Sequence, residues 1–249
     1  MGLGRLHVLR FLPILGLLFY HTAFCQQKAT DTPFSYNDKE SWFDKKVGLE
    51  NTPLLNGREY SIAFRGATTH PFFGTRDLTD EQIVCRGRMY ANIQLLYDTY
   101  GDILVLRHRD SRGLYALIEL DKKYVDRFTL QGHQFRKMKN EKSTEASLAD
   151  GYFEVLFDGD YVKLVAKHQK GSYVNASRRD YIASIRYFFV KGQQWSEVRS
   201  NASVYNLLPG SKRQIAAFIK RNKFRVGRRD EKELSSVAGY CDNLERRTK

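Results

Sequence analysis

From Asn56 onward the chain alternates apolar and polar residues in short runs separated by turn signals, the period-two pattern of strands with one face on a core. These runs predict strands at 58–64, 82–89, 92–97, 102–108, 113–120, 123–130, 133–138, 151–157, 160–168, 183–190 and 193–199. Two hairpins can be argued to the level of register. Asp158-Gly159 is a strong two-residue turn signal, and folding there sets Val155 opposite Val162, Phe153 opposite Leu164 and Glu154 opposite Lys163. A turn at Lys191-Gly192 sets Phe188 across from Trp195, Arg186 across from Glu197 and Ile185 across from Val198.

After Pro209-Gly210 the period changes to that of helices. Ser211 and Gln214 have capping-box spacing ahead of Ile215, Phe218 and Ile219. A second helix is expected from Asp230, with Glu231 and Glu233 in its first turn, Leu234, Val237, Ala238 and Cys241 on one face, and Arg246 and Arg247 at its end, where their charge suits the helix dipole. The expected fold is therefore mainly β, an antiparallel meander forming a curved sheet or partly closed barrel, with two C-terminal α-helices.

The first 25 residues depart from both patterns. Arg5 and Arg10 precede an apolar run from Phe11 to Tyr20, the grammar of a signal peptide. That run is about half of the roughly 20 residues a membrane-spanning helix needs, and no later segment supplies one. Ala23-Phe24-Cys25 reads as a small-x-small cleavage box ahead of Gln26, or as a lipoprotein site acylated on Cys25; the bulk of Phe24 favours the first. Export to the periplasm, the outer membrane or the medium is the expectation. Residues 26–53 read as a polar leader pinned by Trp42 and Phe43, residues 54–208 as the β domain, and residues 209–249 as a helical pair on the same domain.

Removing residues 1–25 from the 249 leaves 224, enough for one core without disulfide staples. Cleavage removes only Arg5 and Arg10, so the formal net charge falls from +13 to +11. A basic exported chain meets anionic lipid headgroups, acidic polysaccharide and extracellular DNA. Cys85 and Cys241 remain, too few for a disulfide scaffold or a thiolate zinc site. They could pair with each other, but both sit in apolar patterns where a buried free thiol is commoner.

Several local patterns together resemble a group of uncharacterised exported β-rich proteins common in Bacteroidota. They are Asn56-Gly57-Arg58-Glu59-Tyr60, His70-Pro71-Phe72-Phe73, Leu95-Leu96-Tyr97-Asp98, Gly151-Tyr152-Phe153-Glu154-Val155-Leu156 and the closing Gly239-Tyr240-Cys241-Asp242. The resemblance implies export and a β-rich body followed by helices. It carries over no catalytic residue and no ligand, and Cys241 departs from the group's more usual doubly aromatic closing motif.

Candidate chemistry is sparse. His70, in a loop before Pro71 and two phenylalanines, is a conceivable base or ligand. His108, His133 and His168 show no ligand spacing. Asp98 and Asp102 flank a tight turn, and Asp158 and Asp160 bracket Gly159. Turn geometry accounts for both pairs, and a calcium loop starting at Asp158 fails because Gln169 stands where a bidentate Glu is required. Hydrolase elbows, zinc helices and dinucleotide fingerprints are absent, and Gly210-Ser211-Lys212 lacks the order of a phosphate loop. No metal or cofactor is expected.

If the chain were a hydrolase with a spatially assembled acid–base site, His70, Asp98 and Glu154 would be its candidates. The other feature is a run without an acid that holds Lys212, Arg213, Lys220, Arg221, Lys223, Arg225, Arg228 and Arg229. Phe218 belongs to the apolar stripe there, which leaves only Phe224 for base stacking and disfavours nucleic acid. Asn175-Ala176-Ser177 and Asn201-Ala202-Ser203 match glycosylation sequons, which carry little weight in a bacterial chain. The expectation is a non-enzymatic binding or assembly module whose partner is an envelope protein or an anionic glycan or lipid.

Overall fold

The computed structural model describes residues 52–248 apart from 111, 176 and 177. The expected signal segment, its cleavage site and the Trp42–Phe43 anchor lie outside the described residues. Eleven strands form one antiparallel sheet. They are β1 (Arg58–Glu59), β2 (Asp80–Cys85), β3 (Arg88–Asp98), β4 (Ile103–Arg109), β5 (Tyr115–Glu119), β6 (Val125–Leu130), β7 (His133–Lys139), β8 (Asp150–Asp158), β9 (Lys163–Asn175), β10 (Arg178–Lys191) and β11 (Gln194–Glu197). Their order across the sheet is β1-β5-β4-β3-β2-β6-β7-β8-β9-β10-β11. The one-turn helix α1 (Ala146–Ala149) precedes β8, and α2 (Asn201–Leu207), α3 (Lys212–Arg221) and α4 (Glu231–Thr248) follow β11.

The mainly β fold is as expected, and the sheet is open. It nevertheless curls. Adjacent strands lie about 4.8 Å apart, so a flat sheet would hold β9 roughly 24 Å from β3, five places away. Instead the Lys170 amide donates to the Thr99 carbonyl, just past the end of β3, at 3.1 Å. Tyr97, Phe128, Phe135 and Tyr152, from β3, β6, β7 and β8, pack ring to ring with centroids 5.0–5.8 Å apart. Among the described residues no ladder joins β1 to β11, so these two outer strands remain edges. Both are short, and α2 covers β11 through Ser196 Oγ donating to the Ser203 carbonyl.

Helices α2, α3 and α4 cover β8–β11. Val204 and Leu207 of α2, Ile215 and Ile219 of α3, and Leu234, Val237, Ala238 and Cys241 of α4 form one core with Val162, Leu164, Ala166 and Phe189. The sequence led us to expect two helices here; there are three. Asn201–Ser203, read there only as a sequon, opens α2. The capping box sits at Ser200 and Ser203, and Ser211 makes no side-chain cap bond to α3. In α4 the apolar positions are those the period indicated. Cys85 and Cys241 are both buried and free, and burial pushes the Cys241 thiol up to about 12, far from a reactive thiolate.

Both reasoned hairpins exist, each with its register displaced. In β8–β9, Val155 faces Val165, Glu154 faces Ala166, and Asp158 faces Lys163, with a bulge between Val155 and Phe157. Residues 159–162 form the connection because Asp242 of α4 holds it: its Oδ1 accepts the amides of Tyr161 (2.7 Å) and Val162 (3.0 Å). A Cβ at Gly159 would collide with that carboxylate. In β10–β11 the turn is Gly192-Gln193, so Phe188 faces Glu197 and Val190 faces Trp195. That displacement is two residues and keeps every side chain on its face. Arg186 and Glu197 still pair at 3.0 Å, and the Phe188 and Trp195 rings lie 5.9 Å apart, both as diagonal neighbours.

Elsewhere the boundaries moved for local reasons. The expected gap between 89 and 92 is a bulge, where Asn92 takes a left-handed conformation (φ 57°) inside β3. The turn falls instead at Arg86-Gly87, both with positive φ as a type I′ hairpin requires. β1 stops after Glu59 because the following chain crosses to the far end of β9–β10. There Asp180 Oδ1 accepts the Thr68 amide at 2.7 Å, and the Tyr181 hydroxyl accepts the Phe64 amide at 3.1 Å. No helix among the described residues is long and apolar enough to cross a membrane.

Asp242→Ala should strand two amides in the buried connection and cost about 3 kcal/mol, against a smaller loss for Asp242→Asn, which keeps an acceptor. The urea unfolding midpoint of the two variants checks this.

Candidate functional site

Of the three acid–base candidates, Glu154 has the most distinctive surroundings. It is buried on β8 between two imidazoles: Nδ1 of His133 lies 2.5 Å from Oε1, and Nε2 of His168 lies 2.6 Å from Oε2. An ionised carboxylate only accepts, so both nitrogens carry hydrogen and donate. Burial pushes the Glu154 carboxyl up, but the bonds from His168 and then His133 outweigh it and hold the group below its ordinary value. The Phe73 ring meets both imidazoles edge-on, at 5.1 Å from His133 and 4.8 Å from His168. Two histidines whose spacing offered no reason to join them thus share one carboxylate, and Glu154 faces Ala166 rather than the Lys163 that the two-residue turn implied.

Asp98 ends β3. Its Oδ1 accepts the amides of Tyr100 and Gly101, shaping the turn to β4, and its Oδ2 accepts the Tyr60 hydroxyl at 2.7 Å. His70 is part-buried with its ring stacked on Phe72, and its carbonyl accepts Lys170 Nζ at 2.7 Å. Burial first, then the charges of Lys170 and Arg76, push its imidazole below the usual value. Among the described residues no hydrogen bond or ion pair joins any two of His70, Asp98 and Glu154. Nor is any group of three His, Cys, Asp or Glu side chains there arranged to hold a metal ion.

A second buried charge cluster was not anticipated. Lys167 of β9 is wholly enclosed, and its Nζ donates to Asp102 Oδ1 at 2.7 Å, to the Tyr152 carbonyl at 3.0 Å and to the Tyr97 hydroxyl at 3.5 Å. Tyr97 donates its own hydroxyl to Asp102 Oδ1 at 2.5 Å, and Lys122 Nζ reaches Oδ2 at 2.6 Å. Burial pushes Asp102 up, yet the two ammonium groups overcome it and hold the carboxyl low. Burial lowers Lys167, and Asp102 opposes that shift. Lys167 passes against Gly151, where a Cβ would crowd both its ammonium and Asp102. In sequence Asp102 looks like a turn residue and Lys167 like the solvent face of a strand; only the curl brings them together.

The basic run ends up on the surface. At 3.6 residues per turn, Arg213, Lys220 and Arg221 fall on the side of α3 opposite Ile215 and Ile219, and Lys212 is exposed at the first residue of the helix. Lys223 and Arg229 adopt left-handed conformations (φ 57° and 59°) in the segment that turns back toward α4. All eight cations are exposed, and none forms an ion pair among the described residues. The aromatics between them are committed to packing: Phe218 stacks on Tyr240 at 4.1 Å, and Phe224 meets Phe218 edge-on at 5.9 Å.

No family model, curated protein or solved structure matches the chain.

Two outcomes follow. Because Glu154 sits below its ordinary value of 4.5 in the fold, its contribution to stability is complete above that pH and fades as pH falls through the lower folded value. The stability gap between wild type and Glu154→Gln, read from denaturant midpoints, should therefore narrow below about pH 4.5. Asp102→Ala leaves Lys167 and the Tyr97 hydroxyl without their buried partner and should cost about 4 kcal/mol at pH 7 by the same measurement.

Proposed function

We propose that the chain is an exported, non-catalytic binding module of the cell envelope or its exterior, which engages an anionic partner through α3 and the segment that follows it. One observation carries the reading: eight exposed Lys and Arg side chains between residues 212 and 229 with no intervening acid and, among the described residues, no ion pair. Charged surfaces ordinarily intersperse both signs, and a one-sign field attracts counter-charge at long range. The apolar side of α3 is used up in the core, so the contact is electrostatic, without insertion of apolar side chains into the partner. Fitting partners are an acidic glycan, a lipid headgroup surface or the acidic face of another envelope protein. Committed aromatics argue against single-stranded nucleic acid, which binds through stacking.

Export rests on Arg5, Arg10 and the apolar run after them, together with the resemblance to exported β-rich proteins. The hydrolase alternative finds less support, because among the described residues no hydrogen bond or ion pair joins any two of His70, Asp98 and Glu154, and Asp98 and Glu154 are bound to separate partners.

Binding to dextran sulfate and to phosphatidylglycerol vesicles, each at two salt concentrations, tests the reading and separates glycan from lipid. Affinity should fall steeply with salt for the preferred surface. A variant with Lys220, Arg221, Arg225 and Arg228 changed to Glu should bind at least about tenfold more weakly with an unchanged unfolding midpoint. Absence of binding to both surfaces, or equal binding by the variant, overturns the anionic-surface reading.

A further inference from the structure

A cleft of about 650 Å³ opens between β1, the β3–β4 turn and the residues that follow β5. It lies on the far side of Asp102 from the wholly enclosed Lys167. Three features of its lining define what it can hold. The first is charge. Arg58 and Lys122 face Asp102, Glu119 and Asp121, and Lys167 supplies a third cation behind Asp102, so cations and carboxylates balance. A ligand with net charge therefore gains little there.

The second feature is that these charges are already paired. Arg58 donates from Nε and Nη2 to Glu119 at 2.8 and 3.0 Å, and Lys122 donates to Asp102 at 2.6 Å. A zwitterion would have to break such pairs in order to form its own. The third feature is unused hydrogen-bonding capacity at the rim. Among the described residues Lys122 uses one of its ammonium's three donors on a protein acceptor, Arg58 keeps Nη1, and Asp121 uses Oδ1 on the Lys123 amide and keeps Oδ2. Donors and acceptors thus share one lining with Ile103 and Leu120, which add apolar surface.

Small-molecule pockets of this size usually have mainly apolar walls. This one is polar, neutral and mixed in donors and acceptors. Hydroxyl groups, which both donate and accept, suit the leftover capacity, and C–H faces suit Ile103 and Leu120. We propose that the cleft is a binding site for a short neutral saccharide, distinct from the basic surface on α3.

Saturation-transfer NMR on the mature protein tests this with cellobiose, maltose and N,N′-diacetylchitobiose as neutral probes, digalacturonate as the anionic probe and glycylglycine as the zwitterion. At least one neutral disaccharide should bind, with an affinity unchanged between low and high salt and unaffected by the four-residue charge reversal on α3. Lys122→Met and Asp121→Asn should each weaken it about tenfold, the loss of roughly one hydrogen bond. Asp121→Asn keeps the cap on Lys123 and swaps only the free acceptor, so it reads the site even if Lys122→Met fails to fold. Binding of digalacturonate or glycylglycine alone, binding of none of the probes, or full affinity in Asp121→Asn overturns the proposal. Salt sensitivity and the α3 variant keep its failure separate from failure of the anionic-surface reading.

Discussion

One carboxylate, Asp102, ties the two ends of the curl together. It sits in the turn after β3, yet the ammonium that meets it comes from β9, five strands away across the sheet. Twist alone bends a sheet gradually; here a buried charge must find its partner, and the partner can reach only if the intervening strands roll. An unpaired ammonium inside a core is costly, and the roll offsets that cost for Lys167 by bringing Asp102 and the Tyr152 carbonyl to it. The four-ring cluster of Tyr97, Phe128, Phe135 and Tyr152 then fills the space the roll creates. Polar specification and apolar filling thus select the same shape.

How much of this was legible depended on the range of the interaction. Most strands left a period-two trace, and α4 left a helical one, because those patterns come from which face meets the core. Register was less legible. The Asp158-Gly159 pair is a good two-residue turn on local grounds, but Asp242 captures the next two amides and lengthens the connection. The middle of β9–β10, with Gln169, Lys170, Gly171 and Ser172, shows no alternation, because it is held by its partner strand and by residues 64–69 rather than by a core face. Helix α2 escaped notice because its seven residues carry no full apolar repeat, only the Ser200–Ser203 cap.

The candidate site divides along the same line. The basic run is a contiguous stretch of sequence, so its exposure could be anticipated from the apolar side of α3. The His133–Glu154–His168 cluster draws on three different strands, and nothing in the spacing of these residues says that they meet. The saccharide cleft is similarly assembled from β1, a turn and the segment after β5. What the fold adds to the sequence is mostly the pairing of charges: residues that read individually as turn formers or solvent-facing lysines become partners.

The hold of Asp242 on residues 161 and 162 spans 81 and 80 positions of chain. Contacts between such distant residues pay their loop-closure entropy before they return any stability, which slows folding. A nascent polypeptide whose β strands have emerged but whose α4 has not would carry an unfastened β8–β9 connection and an uncovered apolar face at β8–β11. Completion of the native core is thereby deferred until the ribosome has delivered residue 242, which leaves a time window in which the chain is still pliable.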